Sequence, residues 1–407
     1  MKSGRLLMLG GSDVQVPAIR KAQELGLYVI TCGNRPQDIG HQYADESHTI
    51  SSTSTVEVLE LARRLRVDGI SAYGSDPAAV TAAYVADEMG LPGGGLDAVT
   101  CLQDKVLFRE AQHRLGIAAP RSAPAISASQ VLKLIASWPH GCIIKPVDTS
   151  GSKGCYVISA DEEPEKVQQM LDSARSFSRS GKVIVEEFLL RVLPQMTGDV
   201  LIVDGRIAFF CFGDVHFNSA LNGLVPRSVS FPSVVPMAKQ QEAMAGAQRL
   251  ISDLGVKTGV FNIDVIVDDA GRAIMIDIGA RNGGNMVGDL MHRRTGVDLT
   301  EASICQSMGW PVTLNALSEP TGYFAHAVVH SLHNGILRSI HFDDHLERAI
   351  FHRSIIAQPG DKVERFAGSS SRLGLLLLSF PTQADMLGTI ADMYDHMVVE
   401  VDVDPPA

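Results

Sequence analysis

Asp264 and Asp277 lie thirteen residues apart, and Arg281-Asn282-Gly283-Gly284 follows four residues after the second. Two β-branched runs, 259–267 and 273–278, flank the polar turn Asp268-Asp269-Ala270-Gly271-Arg272. That pattern predicts a β-hairpin. Strand side chains alternate between faces, so Asn262 and Asp264 share one face while Phe261, Ile263 and Val265 take the other. A turn centred on Ala270-Gly271 brings Asp264 opposite Asp277. Facing carboxylates on an apolar sheet repel and lose hydration unless positive charge sits between them. A hard divalent cation bridging phosphates meets that need. For an isolated pair of acids, the solvent face of an edge hairpin would serve equally. The adjacent Arg281 suits a phosphate or carboxylate ligand. Its neighbouring glycines permit close backbone approach.

Lys145 ends an apolar strand and opens the stretch Pro146-Val147-Asp148-Thr149-Ser150-Gly151-Ser152-Lys153-Gly154. Backbone N–H groups and hydroxyls of such a loop can clamp a polyphosphate, with the ammonium neutralising charge. No Gly-Lys-Ser/Thr opens a helix here, so it is not a Walker A loop, and an ordinary surface hairpin remains the alternative. Val183–Glu187 followed by Phe188-Leu189 reads as a strand whose end could meet a nucleobase edge between apolar side chains, or simply emerge into solvent. Asp104-Lys105 precedes a helix and by itself reads as a surface pair. Asp214–Asn218 and Val225–Ser228 fall where a substrate loop would sit. There Arg227 could bind a carboxylate and His216 could take a proton from an amine, although a lone histidine is more often structural.

The first hundred residues alternate strands (5–9, 28–32, 69–72) with helices (16–25, 56–65, 78–89), the rhythm of a parallel α/β unit ending at Gly90–Gly95. Gly10-Gly11-Ser12 follows the first strand, but GxGxxG is absent and the second strand ends without an acid for a ribose. A small anion at the helix N-terminus fits that turn better than a dinucleotide. From about residue 99 to 312 the texture becomes α+β, and further strand and helix runs follow from Tyr323. The length of 407 residues suggests two to four domains. A net charge of −11 argues against a surface that coats nucleic acid. The six cysteines form no CxxC pair, which points to buried free thiols in a reducing compartment. The N-terminal apolar stretch is too short for a signal peptide, and no run reaches the ~18 apolar residues of a membrane span. A cytoplasmic protein that binds neither membrane nor nucleic acid is expected.

In order and spacing, Asp104-Lys105, Lys145 with its loop, Val185-Glu186-Glu187-Phe188-Leu189, Asp264, Asp277 and Arg281 resemble the ATP-grasp ligases. The resemblance covers nearly the whole chain. Leu9-Gly10-Gly11 is similar to that family's N-terminal domain, and Gln358–Val363 with Gly374 to its C-terminal domain. It implies an α/β and α+β fold of three parts: an N-terminal parallel α/β domain (1–98), a central ATP-grasp domain with a mobile lid (99–312), and a small C-terminal α+β domain (313–407). It implies ATP with Mg²⁺, or Mn²⁺ in its place. Lys105 and Lys145 would contact phosphates, and Ser150, Gly151, Ser152 and Gly154 would lie on the lid. Glu186 and Leu189 would offer backbone groups to adenine, with Glu187 and Phe188 between them. Asp264 and Asp277 would hold the metal, and Arg281 would steady the phosphoryl group.

Two departures stand out. Many members carry Glu-x-Asn-x-Arg where this chain has Asp277-Ile278-Gly279-Ala280-Arg281, leaving Asn282 as a substitute ligand. Leu190–Thr197 holds no ribose-binding acid, so Gln195 or Asp199 would have to serve. The Gly-Ala-Arg variant resembles the branch that includes amino-acid ligases. The resemblance implies activation of a small-molecule carboxylate as an acyl phosphate and its capture by an amine, with His216, Arg227, Asn282 and Gly283 near the substrates and a homodimer as the assembly. A bicarbonate-using carboxylase or purine-pathway ligase, and a nucleotide-binding module without turnover, remain the alternatives.

Overall fold

The computed structural model describes residues 4–159, 161–218, 221 and 223–403. Its N-terminal sheet has four parallel strands in the order Glu46–His48, Tyr28–Cys32, Arg5–Leu9, Gly69–Ser71. Leu6 to Leu9 are fully buried, as expected of a strand covered by helices on both faces. The helices Val16–Glu24, Thr55–Leu65 and Asp76–Met89 cover it. Each expected strand and helix of this unit is present within two residues of its expected ends. The short strand Glu46–His48 carries too little apolar patterning to be read in advance.

A second, four-stranded sheet is antiparallel, in the order Ser122–Pro124, Val183–Glu187, Cys142–Pro146, Tyr156–Ile158. The helices Ala128–Ile135 and Pro164–Phe177 close its outer face around Val131, Ile144, Leu171 and Val185. A third sheet has eight strands: Ala273–Gly279, Gly259–Val267, Gln195–Val203, Arg206–Phe217, Pro226–Phe231, Tyr323–His330, Arg372–Phe380 and Ile350–Ile355. Its last three strands come from the C-terminal segment, so that segment extends the central sheet through the pair Pro226–Phe231 and Tyr323–His330. Helices Lys105–Arg114 and Met237–Asp253 bury Phe108, Ala247 and Leu250 against Ile263, Val265 and Met275 on one face.

The residues expected in a substrate loop are strands instead. Asp214 to Phe217 pair in antiparallel register with Pro226 to Ser230. Pro226 and two buried serines, Ser228 and Ser230, disguised the second strand as a loop. Among the described residues no helix is long and apolar enough to cross a membrane.

Gly198 lies in the strand Gln195–Val203, flanked by Phe212 and Ile263. A Cβ there would collide with the carbonyl of Cys211. Gly198→Ala is therefore expected to cost about 1–3 kcal/mol by overpacking. Thermal unfolding checks this, and a midpoint within a degree of wild type would contradict it.

Candidate functional site

A cavity of about 1020 Å³, open mouth included, lies between the second and third sheets. From the second sheet it takes Lys145 and Glu186, and from the third Asp264, Ile276 and Asp277. In the strand Cys142–Pro146, alternation buries Cys142 and Ile144 in the core and turns Ile143 and Lys145 to the cavity. Lys145 Nζ donates to Glu186 Oε2 at 2.7 Å, and Arg109 Nε donates to Glu186 Oε1 at 2.7 Å. Glu186 is 1% exposed. Burial pushes its carboxyl up, but Arg109 and Lys145 outweigh burial and hold it at about 2. Its side chain thus fixes Lys145, a role that the expected backbone contact to adenine does not include. Glu187 is held by Arg121, whose Nε and backbone N donate to it at 2.7 and 2.8 Å. Phe188 and Leu189 line the cavity beyond it.

Asp104 is more than a surface pair. Its carboxylate caps the helix Lys105–Arg114 by accepting from the backbone N–H groups of Val106 and Leu107 at 2.8 and 3.2 Å. This places Lys105 on the first turn, 7% exposed. Its Nζ donates to Thr149 O at 3.0 Å and lies 3.8 Å from Asp277 Oδ1. Ser150, Gly151 and Ser152 roof the cavity. Gly151, Ser152 and Gly154 all take left-handed backbone, with φ of 70°, 58° and 68°. Ser152 Oγ donates to Leu224 O at 2.8 Å, so the loop spans the mouth. Gly154 lies behind it, against Phe177 and Pro146.

Asp264 and Asp277 face each other across the hairpin, as expected. Asp264 also hydrogen-bonds Thr197. Burial pushes its carboxyl up to about 6, with Asp277 adding to the shift and Arg281 opposing it. Arg281 forms an ion pair with Asp76 of the first unit, and its Nη1 donates to Asn282 O at 3.0 Å. It borders not this cavity but a neighbouring one of about 630 Å³, shared with Asn282, Gly93 and Gly94. Arg281 Nε is buried and has no hydrogen-bond partner among the described residues.

Four expected substrate residues are engaged elsewhere. His216 Nε2 meets Ser230 Oγ at 2.8 Å, and burial with the nearby Arg227 lowers its imidazole to about 4, making it a weak base. Arg227 donates to Ile390 O at 2.9 Å and lies over the Tyr394 ring. Asn282 is 1% exposed and donates to Leu299 O at 3.2 Å. Gly283 N donates to both Asp199 oxygens at 2.9 Å, and a Cβ at 283 would strike Val287. Asp199 is thereby excluded from a ribose role, because it is fully buried beneath that turn. Gln195 does line the cavity.

Three residues outside the expected set also shape the site: Arg191 and Cys155 line the cavity, and Arg109 lies behind it. Arg191 carries no mark in the sequence, because the ribose-holding residue expected in that stretch is an acid. Arg109 had a signal: Lys105, Arg109 and Gln112 form a polar stripe at i, i+4, i+7 beside buried Phe108 and Ala111.

Among the described residues no cluster of three or more His, Cys, Asp or Glu side chains could hold an ion unaided. The donor set is two hard carboxylates beside two lysines, which fits Mg²⁺ completed by phosphate oxygens rather than a closed protein cage. The raised Asp264 carboxyl, pushed up by burial and further by Asp277, gives a pH signature. Unfolded aspartate titrates near about 3.9. Asp264 keeps its proton longer when folded, so its contribution to stability is present below about pH 4 and lost as pH rises through about 6. Asp264→Asn removes that loss. Without nucleotide or metal it should unfold at higher temperature than wild type at pH 8, by on the order of 1 kcal/mol after allowance for partial exposure. The advantage should vanish by pH 4. Equal midpoints at pH 8 would show that the folded protein does not hold the Asp264 carboxyl above its unfolded range.

No family model matches the sequence. The chain is similar to the formate-dependent phosphoribosylglycinamide formyltransferase of Paraburkholderia xenovorans, 29% identical over 190 residues, 46% of each chain. The chain spans about half the length of the curated relatives it matches. Among solved structures, an L-amino acid ligase from Bacillus licheniformis superposes with a TM-score of 0.80 at 15% identity, covering 99% of this chain and 100% of that one. An N5-carboxyaminoimidazole synthetase from Staphylococcus aureus, complexed with ADP, gives 0.75 at 15% identity, covering 97% and 96%. The clasp of two sheets around the lysines and the opposed aspartates, together with these superpositions, identifies the architecture: the chain has the ATP-grasp fold.

Proposed function

We propose that this protein is an ATP-dependent carboxylate–amine ligase. The observation that carries the reading is the convergence, in one cavity between two sheets, of Lys105, Lys145, a Gly/Ser roof and the facing Asp264 and Asp277. A carboxylate at neutral pH is a poor electrophile. Transfer of the γ-phosphoryl group of ATP to it forms an acyl phosphate and releases ADP. Attack by an amine then forms the amide, expels phosphate and leaves a proton to be lost from nitrogen. The protein need only position the reactants and balance charge.

In this reading Lys105 and Lys145 bind phosphate oxygens, and Glu186 keeps Lys145 aimed at them. Asp264 and Asp277 hold Mg²⁺ or Mn²⁺, which when bound neutralises the phosphates and polarises the transferred group. Ser150, Gly151 and Ser152 close over the nucleotide and keep water from the acyl phosphate. Glu186 to Leu189 border the base, and Gln195 and Arg191 are the polar groups left for the ribose side. Asp277 acts on the Arg281 guanidinium and Arg281 on the Asp264 carboxyl, and in this reading Arg281 steadies the acyl group from the neighbouring cavity. The three segments 1–98, 99–312 and 313–407 serve as domains. A cytoplasmic homodimer acting on small molecules completes the proposal.

One finding favours a variant of the substrate. The relative named above is formate-dependent, so a one-carbon acid, formate or bicarbonate, belongs in the test alongside amino acids. The assay is ADP release with acid–amine pairs drawn from both groups. Release that requires both partners and divalent metal is expected. Asp277→Asn should lower it by about 100-fold or more, as loss of a metal-ligating charge would. ADP binding without release for any pair would leave a binding module and overturn the ligase reading.

A further inference from the structure

Arg109 is a guanidinium enclosed in the core, 1% exposed, and it does not line the cavity. An isolated buried charge is costly, so its partners show what it is for. Nε pairs with Glu186 at 2.7 Å. Nη1 donates to Gln112 Oε1 at 2.8 Å and to Met275 O at 3.4 Å. Nη2 donates to Ile276 O at 2.7 Å. Gln112 Nε2 also donates to Met275 O at 3.0 Å.

Those two carbonyls belong to a β-bulge. The hairpin pairs Val265 with Met275 but Asp264 with Asp277, so Ile276 is the extra residue. A regular ladder would have paired Asp264 with Ile276. Asp277 would then have turned to the opposite face, among Ile263, Val265 and Met275 in the core. The bulge is what puts Asp277 on the cavity side, beside Ile276. A bulge interrupts the ladder, and its carbonyls need other donors. Arg109 and Gln112 are those donors.

Glu186 joins the same guanidinium to Lys145. One rigid fork therefore fixes a phosphate-facing lysine on one sheet and a carboxylate on the other. We propose that Arg109 is a positioning residue for the metal–nucleotide site: it props the bulge that aims Asp277 and ties that bulge through Glu186 to Lys145. The proposal rests on the ligase reading above. Lysine at 109 keeps a positive charge against Glu186, but a single ammonium cannot reproduce the planar fork that reaches Glu186 and both carbonyls.

The test measures Mn²⁺ binding to the protein–ADP complex by electron paramagnetic resonance, and ADP binding in EDTA by calorimetry. Arg109→Lys should weaken Mn²⁺ by about 10- to 100-fold, the range for groups that support a metal ligand from behind. Metal-free ADP affinity should stay within about threefold, since a lysine at 109 still pairs with Glu186 and so leaves Lys145 aimed at the phosphates, while the bulge carbonyls lose their fork. Unchanged Mn²⁺ affinity, or an equal loss of ADP affinity in EDTA, would overturn the proposal. If Arg109→Lys does not fold, Gln112→Leu decides, because it removes a donor to the bulge and spares the Glu186 pair. A selective loss of Mn²⁺ supports the proposal, and no loss overturns it. Wild-type protein that binds neither ADP nor Mn²⁺ overturns this inference and the ligase reading together. Wild-type binding matched by the variants overturns this inference alone.

Discussion

Two carboxylates on one face of a hairpin are an electrostatic fault that the rest of the molecule is arranged to tolerate. Asp264 and Asp277 oppose each other with a buried apolar face directly behind them. An apolar pair at those positions would stabilise the sheet better. The charges are held in place by costs met elsewhere: Thr197 bonds Asp264, Lys105 stands 3.8 Å from Asp277, and Arg281 lies near both. None of these forms a tight ion pair with either acid. The confrontation is therefore eased but not cancelled, which under the proposed function suits a pair that binds a cation.

The lysines show the opposite treatment. Lys145 is neutralised at 2.7 Å by Glu186, a carboxylate that shares its second oxygen with Arg109. Removing Glu186 would leave two buried cations unpaired, typically a loss of about 3–5 kcal/mol, whereas removing either cation leaves the other paired with it. The cluster of two cations and one anion keeps a net positive charge at the cavity wall. Under the proposed function, binding a polyphosphate draws on that excess, and full pairing would have erased it. Stability and function thus draw on the same residues, with Glu186 setting how much positive charge remains.

Much of this was legible because strands and turns carry local signals. Period-two alternation and the Asp-Ala-Gly turn gave the hairpin, and Lys145 was placed at a strand end where the structure has it. The facing of Asp264 and Asp277 arises by a less regular route than the sequence implies. A turn centred on Ala270-Gly271 predicts it without irregularity. The observed turn pairs Val267 with Ala273, and only the bulge at Ile276 restores the facing pair. No residue type marks that bulge in the sequence, since its support comes from Arg109, far away in the chain. His216 and Arg227 were misplaced for a related reason. Proline and serine normally mark loops, but Pro226, Ser228 and Ser230 lie in an inner strand whose hydroxyls bond Ser228 to His326 O and Ser230 to His216. Tertiary pairing decides such cases, and local composition does not.

Gly279 is the departure that the sequence raised without resolving. Where relatives by resemblance carry a ligating asparagine, this chain has no side chain at all. The structure gives a steric reason. A Cβ at 279 would collide with the Asp76 carboxylate and would press to 3.0 Å from the guanidinium carbon of Arg281. The space an asparagine would need is taken by the ion pair that joins the helix Asp76–Met89 to the end of the hairpin. The two arrangements exclude each other. A chain that keeps Asp76 on Arg281 must do without a side-chain ligand at 279, and Asn282 does not replace it, since it is buried and borders the neighbouring cavity rather than the one lined by Asp264 and Asp277. Under the proposed function, the protein's share of metal binding therefore falls to Asp264 and Asp277 alone, and the geometry of that pair, bulge included, carries correspondingly more of the site.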